Sequence, residues 1–180
     1  NAAMPTVSRP VRPARRTENI RYAVRDVLAL AEEAKAAGRE LLHLNVGDPN
    51  IFDFAPCEAL VEATVAAIRA NRNGYAPSSG IPEAVEAITE EAHRGGIHNI
   101  HHVAVTSGAS EAIELALAAL ADPGDNVLVP SPGYPLYTAV LAKLDVAGRG
   151  YHLDESNHWM PDPDEIRGMI DDRTRALVLI

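Results

Sequence analysis

The sequence predicts an α/β fold built on a mostly parallel sheet, and three observations predict it. From residue 100 onward, short apolar runs alternate with stretches of helical periodicity, the pattern of strands joined by helical crossovers. The 180 residues are 47% hydrophobic but only 4% aromatic, so the core must be built from Ala, Val, Leu and Ile. That composition suits helices lying close on a parallel sheet. The run Ala176 to Ile180 is apolar throughout, as a strand covered on both faces would be. The length allows one domain, or one domain and a piece of another.

The elements follow in order. Residues Pro5 to Pro13 are rich in proline and arginine and read as an extended arm. From Tyr22 the pattern is helical, with Val24, Val27, Leu28, Leu30, Ala31 and Ala34 on one face and Gly38 as the stop. Glu40 to Val46 reads as a strand broken by Gly47-Asp-Pro-Asn50. Pro56 opens a second helix, in which Leu60, Val61, Val65 and Ile68 recur at helical spacing up to Asn73-Gly74. Tyr75 to Ile81 is a loop, and Pro82 to His93 a helix closed by Gly95-Gly96. Val103 to Thr106 is expected as a short buried strand, and Ser110 to Leu120 as a helix. After the turn Asp122-Pro-Gly-Asp125, a strand covers Asn126 to Pro130 and a rigid loop Ser131 to Pro135. A helix over Leu136 to Leu144, a strand over Arg149 to Leu153, a helix over Asp164 to Ile170 and the last apolar strand complete the series. A domain seldom ends on its most apolar segment, so the sequence is expected to be part of a longer one.

Composition narrows the function. A formal net charge of −9 argues against a nucleic-acid face on the body of the chain. The exception is the arginine cluster Arg9, Arg12, Arg15, Arg16, Arg21 and Arg25, which reads as an arm lying on an acidic body or on a partner subunit. Cys57 is the single cysteine, which excludes a disulfide framework and a cysteine-based zinc site. No apolar run is long enough for a membrane span, and there is no signal-peptide pattern, so a cytoplasmic protein is expected.

The chemistry-bearing stretch is Val103-Ala-Val-Thr-Ser-Gly-Ala-Ser-Glu-Ala-Ile113. A strand turning through Ser107, Gly108 and Ala109 into a helix presents free backbone N–H groups and the positive end of the helix dipole. Both favour a phosphate or carboxylate, and the Ser107 hydroxyl adds a donor. Alone, the stretch is better read as an ordinary strand-to-helix turn, which is common in α/β proteins; its neighbours change that. Tyr134, between Pro132 and Pro135 after a buried strand, lies where ligand crevices of parallel sheets form. It reads either as a platform for a planar cofactor or as a surface tyrosine. The loop Asn73 to Gly80 exposes Tyr75 among glycines and hydroxyls, or simply joins two helices. His98, His101 and His102 lack acidic companions and read as a solvated loop rather than a metal site. Asp162, Asp164 and Glu165 read as helix-capping residues before acid–base groups. Cys57, with no candidate base nearby, reads as structural.

Five stretches in one order resemble the fold-type-I aminotransferases that use pyridoxal 5'-phosphate, with the bacterial alanine aminotransferases as the nearest look-alikes. They are Leu44-Asn-Val-Gly-Asp-Pro-Asn50, Gly74-Tyr-Ala-Pro-Ser-Ser-Gly80, Ser107-Gly-Ala-Ser-Glu111, Val129-Pro-Ser-Pro-Gly-Tyr-Pro-Leu-Tyr137 and Tyr151-His-Leu-Asp-Glu-Ser-Asn-His-Trp159. Each is weak alone; five in register are specific. The resemblance implies a partial fold-type-I large domain over residues 51–180, preceded by an N-terminal arm and small-domain segment over residues 1–50. It implies that Ser107, Gly108 and Ala109 hold the cofactor phosphate and that Tyr134 stacks on the ring. Tyr75 would reach the phosphate held in the other subunit of a homodimer with shared active sites, and Gly47 would sit by the substrate carboxylate. The arm would lie against the partner.

The family's chemistry also requires a Schiff-base lysine, an acid for the pyridinium nitrogen and an arginine for the substrate carboxylate. The resemblance puts all three later in the chain. The lysines present, Lys35 and Lys143, do not match that motif, so no catalytic residue is expected among these 180 residues. The expected function of the intact protein is amino-group transfer between an amino acid and a 2-oxo acid, with alanine and glutamate as first donors. The 180-residue N-terminal piece is expected to be inactive alone. Two alternatives stay open: a non-catalytic module for a phosphate ligand or a protein, and an aspartate aminotransferase or carbon–sulfur lyase of the same fold.

Overall fold

The computed structural model describes residues 12–18, 20, 23–42 and 47–180, with the backbone alone at 23–26, 29, 51 and 52. The chain divides into two units, one of residues 1–39 and 113–180, the other of residues 40–112.

The first unit carries a four-stranded sheet. Its strands are β1 (Asn126–Ser131), β2 (Ala147–Asp154), the two-residue β3 (Met160–Pro161) and β4 (Thr174–Leu177), in the order β3-β2-β1-β4. β1 pairs parallel with both β2 and β4, and only the short edge strand β3 runs antiparallel. The mostly parallel α/β sheet read from the alternation is therefore present. Helix α4 (Ala109–Leu120) precedes β1, and α5 (Pro135–Leu144) and α6 (Pro163–Met169) follow β1 and β3. Side chains of β1 alternate between two apolar clusters, as a strand buried on both faces requires. Val127 and Val129 join Leu117, Ala121, Val140, Leu141 and Val146. Leu128 faces the other way, onto Tyr151 and Ile166.

The amino-terminal edge of this sheet is polar and closely bonded. Asp171 accepts from Asn126 Nδ2 at 2.9 Å, from Arg149 at 2.8 Å and from the Arg173 N–H at 2.9 Å. Arg175 pairs with Asp125 at 2.8 Å. The Asn126 bond first, then the Arg173 N–H, holds the Asp171 carboxyl below its ordinary value, and the Arg175 bond does the same for Asp125. These bonds explain a shift in β4. The strand was expected over Ala176 to Ile180 from apolarity, yet it begins at the polar Thr174, whose hydroxyl donates to Asn126 Oδ1 at 2.9 Å.

The remaining element of this unit is helix α1 (Ala23–Ala36), closed at Gly38, whose φ of +74° is the left-handed value that ends such helices. Val27, Leu28 and Leu30 of its apolar face are exposed. Arg15 and Arg16, in a short 3-10 turn, line a groove of about 580 Å³ with Asp122, Lys143 and Asp145. That part of the basic arm borders a groove that also carries carboxylates of its own unit.

The second unit contains α2 (Glu58–Arg69) and α3 (Pro82–Arg94). α2 starts after Cys57, two residues beyond Pro56, and stops before the predicted Asn73-Gly74 because Asn71 takes a positive φ of +57°. Neither helix buries a residue, and Leu60, Ile68, Ile81 and Ile88 are exposed. The expected strand Val103–Thr106 is corrected: the segment has no ladder among the described residues. Its lateral backbone bond runs from the Val105 N–H to the Ser79 carbonyl at 2.9 Å, and one bond does not make a strand. Of the strand expected over Glu40 to Val46, residues 40–42 have no regular structure and 43–46 lie outside the described residues.

Candidate functional site

The turn into α4 is built by side chains as much as by backbone. The Gly108 N–H donates to the Thr106 carbonyl at 2.8 Å, and the Thr106 hydroxyl donates to the Gly108 carbonyl at 3.0 Å. Gly108 has a φ of +85°, with open space where a Cβ would stand, so conformation rather than packing calls for glycine. The Ser107 N–H donates to the Glu111 carboxylate. The first helical bond of α4 runs from the Ala112 N–H to the Gly108 carbonyl at 3.4 Å. Among the described residues, the backbone N–H groups of Ala109, Ser110 and Glu111 therefore donate to nothing, as expected for the first turn of a helix. Ser107, Gly108, Ala109 and Ser110 are all exposed. The donors left for an anion are the Ala109, Ser110 and Glu111 N–H groups and the two serine hydroxyls.

The Tyr75 loop is fixed to the segment that leads to this turn. Its last residues close through the Gly80 N–H and the Pro77 carbonyl at 2.9 Å, and Ser79 accepts from Val105. Gly80 packs so tightly that an added Cβ would stand 2.4 Å from Val105 Cγ2. Tyr75 itself extends fully into solvent. Gly47 is exposed next to Asp48, whose carboxylate accepts from the Asn50 N–H at 3.0 Å. Leu44, Asn45 and Val46 of that motif lie outside the described residues.

Tyr134 belongs to the first unit. It follows β1 at the carboxyl end of the parallel strands, in the N-cap position of α5, with Tyr137 edge-on at 6.4 Å. The loop before it is tight: a Cβ on Gly133 would lie 2.3 Å from the Pro130 carbonyl oxygen. Tyr134 is half exposed. The polar network of Asp171 and Asp125 occupies the opposite, amino-terminal edge of the same strands.

The other singled-out residues have local roles. Asp162 caps α6, accepting from the Asp164 N–H at 2.8 Å, and Asp164 pairs with Arg167. Glu165 accepts from the His152 N–H at 3.2 Å. Cys57 is an exposed free thiol at the start of α2. His98 stacks on His93 at 5.9 Å, and no group of three metal-ligating side chains occurs among the described residues. Lys143 pairs with Glu114, and Lys35 is exposed in the last turn of α1. Among the described residues, no helix is long and apolar enough to cross a membrane. Sequence reasoning passed over Glu111 as a separate group. Its signal was the acidic residue at the third helical position, the place a capping carboxylate takes.

Comparison with known proteins gives the family of the chain. A family model, aminotransferase class I and II, matches residues 39–180. The glutamate-pyruvate aminotransferase AlaA of Escherichia coli K12 is 37% identical over 175 residues, covering 95% of this chain and 43% of its own length. The alanine aminotransferase of Mycobacterium bovis is 35% identical over 153 residues, covering 83% of this chain and 35% of its own. The solved alanine aminotransferase from Pyrococcus furiosus superposes with a TM-score of 0.84 at 39% identity, over 92% of this chain and 43% of that one. The chain thus spans less than half the length of the relatives it matches. With the family model matched from Arg39 to Ile180 and the large-domain fold shared with solved relatives, the chain belongs to the class I and II aminotransferases, whose cofactor is pyridoxal phosphate.

Proposed function

We propose that the protein of which these residues are the N-terminal portion transfers an amino group between an amino acid and a 2-oxo acid, with alanine/pyruvate and glutamate/2-oxoglutarate as the first pairs. The observation that carries this reading is the anion-ready turn at the start of α4, in a chain of this family. The donor set suits a phosphate: three helical N–H groups without a partner among the described residues, serine hydroxyls, and a glycine in place of any side chain. On this reading Ser107 and Ala109 donate to the phosphate, and Gly108 keeps the approach open. Tyr134 offers its ring face to the pyridine. Gly47 leaves room for the substrate carboxylate. Tyr75, wholly in solvent here, reaches the phosphate of a second subunit, which makes the enzyme a homodimer with shared sites.

When bound, pyridoxal phosphate supplies the electron sink for proton loss at the amino acid Cα. The lysine that holds it, the acid at its ring nitrogen and the arginine for the substrate come from residues outside this chain. The 180 residues alone are accordingly inactive. Residues 1–50 form the arm and small-domain segment and residues 51–180 the start of the cofactor domain, in a cytoplasmic enzyme of amino acid metabolism.

The test is a panel of alanine, aspartate and cystathionine with 2-oxo acid acceptors, run on the full-length protein and on the 180-residue chain. Turnover of alanine by the full-length protein alone supports the reading. Preference for aspartate moves it to that branch of the fold, and release of sulfide or a thiol to a lyase. Turnover by the short chain would overturn the assignment of the missing groups.

A further inference from the structure

We infer that Glu111 is a positioning residue for the phosphate, acting through the backbone of Ser107; this rests on the reading of the α4 turn given above. Four hydrogen bonds shape the turn. Two of them, between Thr106 and Gly108, close it on itself. The other two tie it to α4: the long helical bond of 3.4 Å from the Ala112 N–H to the Gly108 carbonyl, and the bond from the Ser107 N–H to the Glu111 carboxylate, which alone holds Ser107 to the helix. Open space lies where a Gly108 Cβ would stand, and Ser107, Gly108 and Ala109 are exposed, so the turn is not wedged in a side-chain core.

The carboxylate takes the N–H of Ser107, two residues before the helix, and leaves the backbone N–H groups of Ala109, Ser110 and Glu111 open. Those N–H groups and the Ser107 hydroxyl are the donors a phosphate needs, and the placement of that hydroxyl beside them depends on how Ser107 is held. The Glu111 side chain thus sets the cup from its rim. The chemical requirement at residue 111 is an acceptor oxygen at the right reach, not a negative charge, which would itself disfavour a neighbouring anion.

The test compares the parent, Glu111→Gln and Glu111→Ala in the full-length protein. Binding of pyridoxal phosphate and of pyridoxal is titrated, and inorganic phosphate serves as a competitor. Glutamine keeps an acceptor oxygen. Loss of one positioning hydrogen bond corresponds to about five-fold in affinity. Glu111→Ala is expected to weaken pyridoxal phosphate and inorganic phosphate by about that factor, leave pyridoxal within about two-fold, and be rescued by Glu111→Gln. An alanine variant that binds pyridoxal phosphate as tightly as the parent, or more tightly, would overturn the inference. So would equal weakening of pyridoxal, which would mean general damage to the site. A parent that takes up neither pyridoxal phosphate nor phosphate would remove the reading of the turn itself, and the role of Glu111 with it.

Discussion

Tyr151→Phe isolates one atom in the best-packed part of the chain. The ring of Tyr151 is buried against Leu128 and Ile166, with the residue only 1% exposed. Its hydroxyl reaches from β2 past β1 and donates to the Val178 carbonyl at 2.6 Å, just beyond the end of β4. The only other described backbone bond of that residue runs from the Val178 N–H to the Leu128 carbonyl at 2.9 Å. Phenylalanine keeps the ring and removes the donor. A carbonyl left without a partner costs about 1–3 kcal/mol. Val178 is half-buried, so water reaches part of this site, and the lower half of that range, about 1–1.5 kcal/mol, applies. For a protein of this size each kcal/mol is worth roughly 2–4 °C in Tm. Urea unfolding should move its midpoint down with an unchanged slope. Burial raises the Tyr151 hydroxyl above its ordinary value of 10.0. The folded state then keeps a proton that the unfolded chain loses, so this contribution is full below pH 10.0 and fades as pH rises further. The variant lacks that alkaline loss. A phenylalanine variant as stable as the parent at neutral pH would refute the claim that the hydroxyl pins the exit of β4.

Other positions give sharper contrasts. Gly80→Ala should destabilise by about 1–3 kcal/mol, because the glycine has a φ of +107° and its Cβ would overlap Val105, whereas Gly74→Ala, with open space around it, should be near neutral. Limited proteolysis of the 74–80 loop reads the difference. Gly133→Ala should displace the Pro130–Tyr134 loop and weaken pyridoxal phosphate binding, checked by absorbance titration. Asp171 and Asp125 are both held below the ordinary carboxylate value, by Asn126 and Arg175 respectively. Their contribution is present above 3.8 and lost as pH falls through the lowered values, so acid unfolding should begin in that window. Asp171→Asn should flatten the acid limb of urea midpoints taken against pH, and an unchanged limb would count against the network.

Much of this was legible in the residues. Asn126 to Pro130 and Leu136 to Leu144 declared β1 and α5 by period and by the prolines around them, and Asp162 declared the start of α6 by its capping position. Apolarity misjudged β4, because Thr174 and Arg175 enter the strand through bonds to Asn126 and Asp125, which lie about fifty positions away in sequence. It also overcalled Val103 to Thr106: an apolar run becomes a strand only when it finds ladder partners, and here Ser79 supplies a single acceptor. At the site, the small residues of the turn were readable as anion donors. That Glu111 occupies the Ser107 N–H, and that the Gly108 N–H turns back to Thr106, depends on dihedral angles that composition does not fix.

The most direct measurement is intact mass after incubation with pyridoxal phosphate and reduction with borohydride, which fixes any cofactor held through a lysine. The full-length protein should carry one reduced cofactor per chain, and the 180-residue chain should stay at 19.3 kDa without a stoichiometric adduct. A full-length protein that remains bare, or a short chain labelled stoichiometrically at Lys35 or Lys143, would contradict the account.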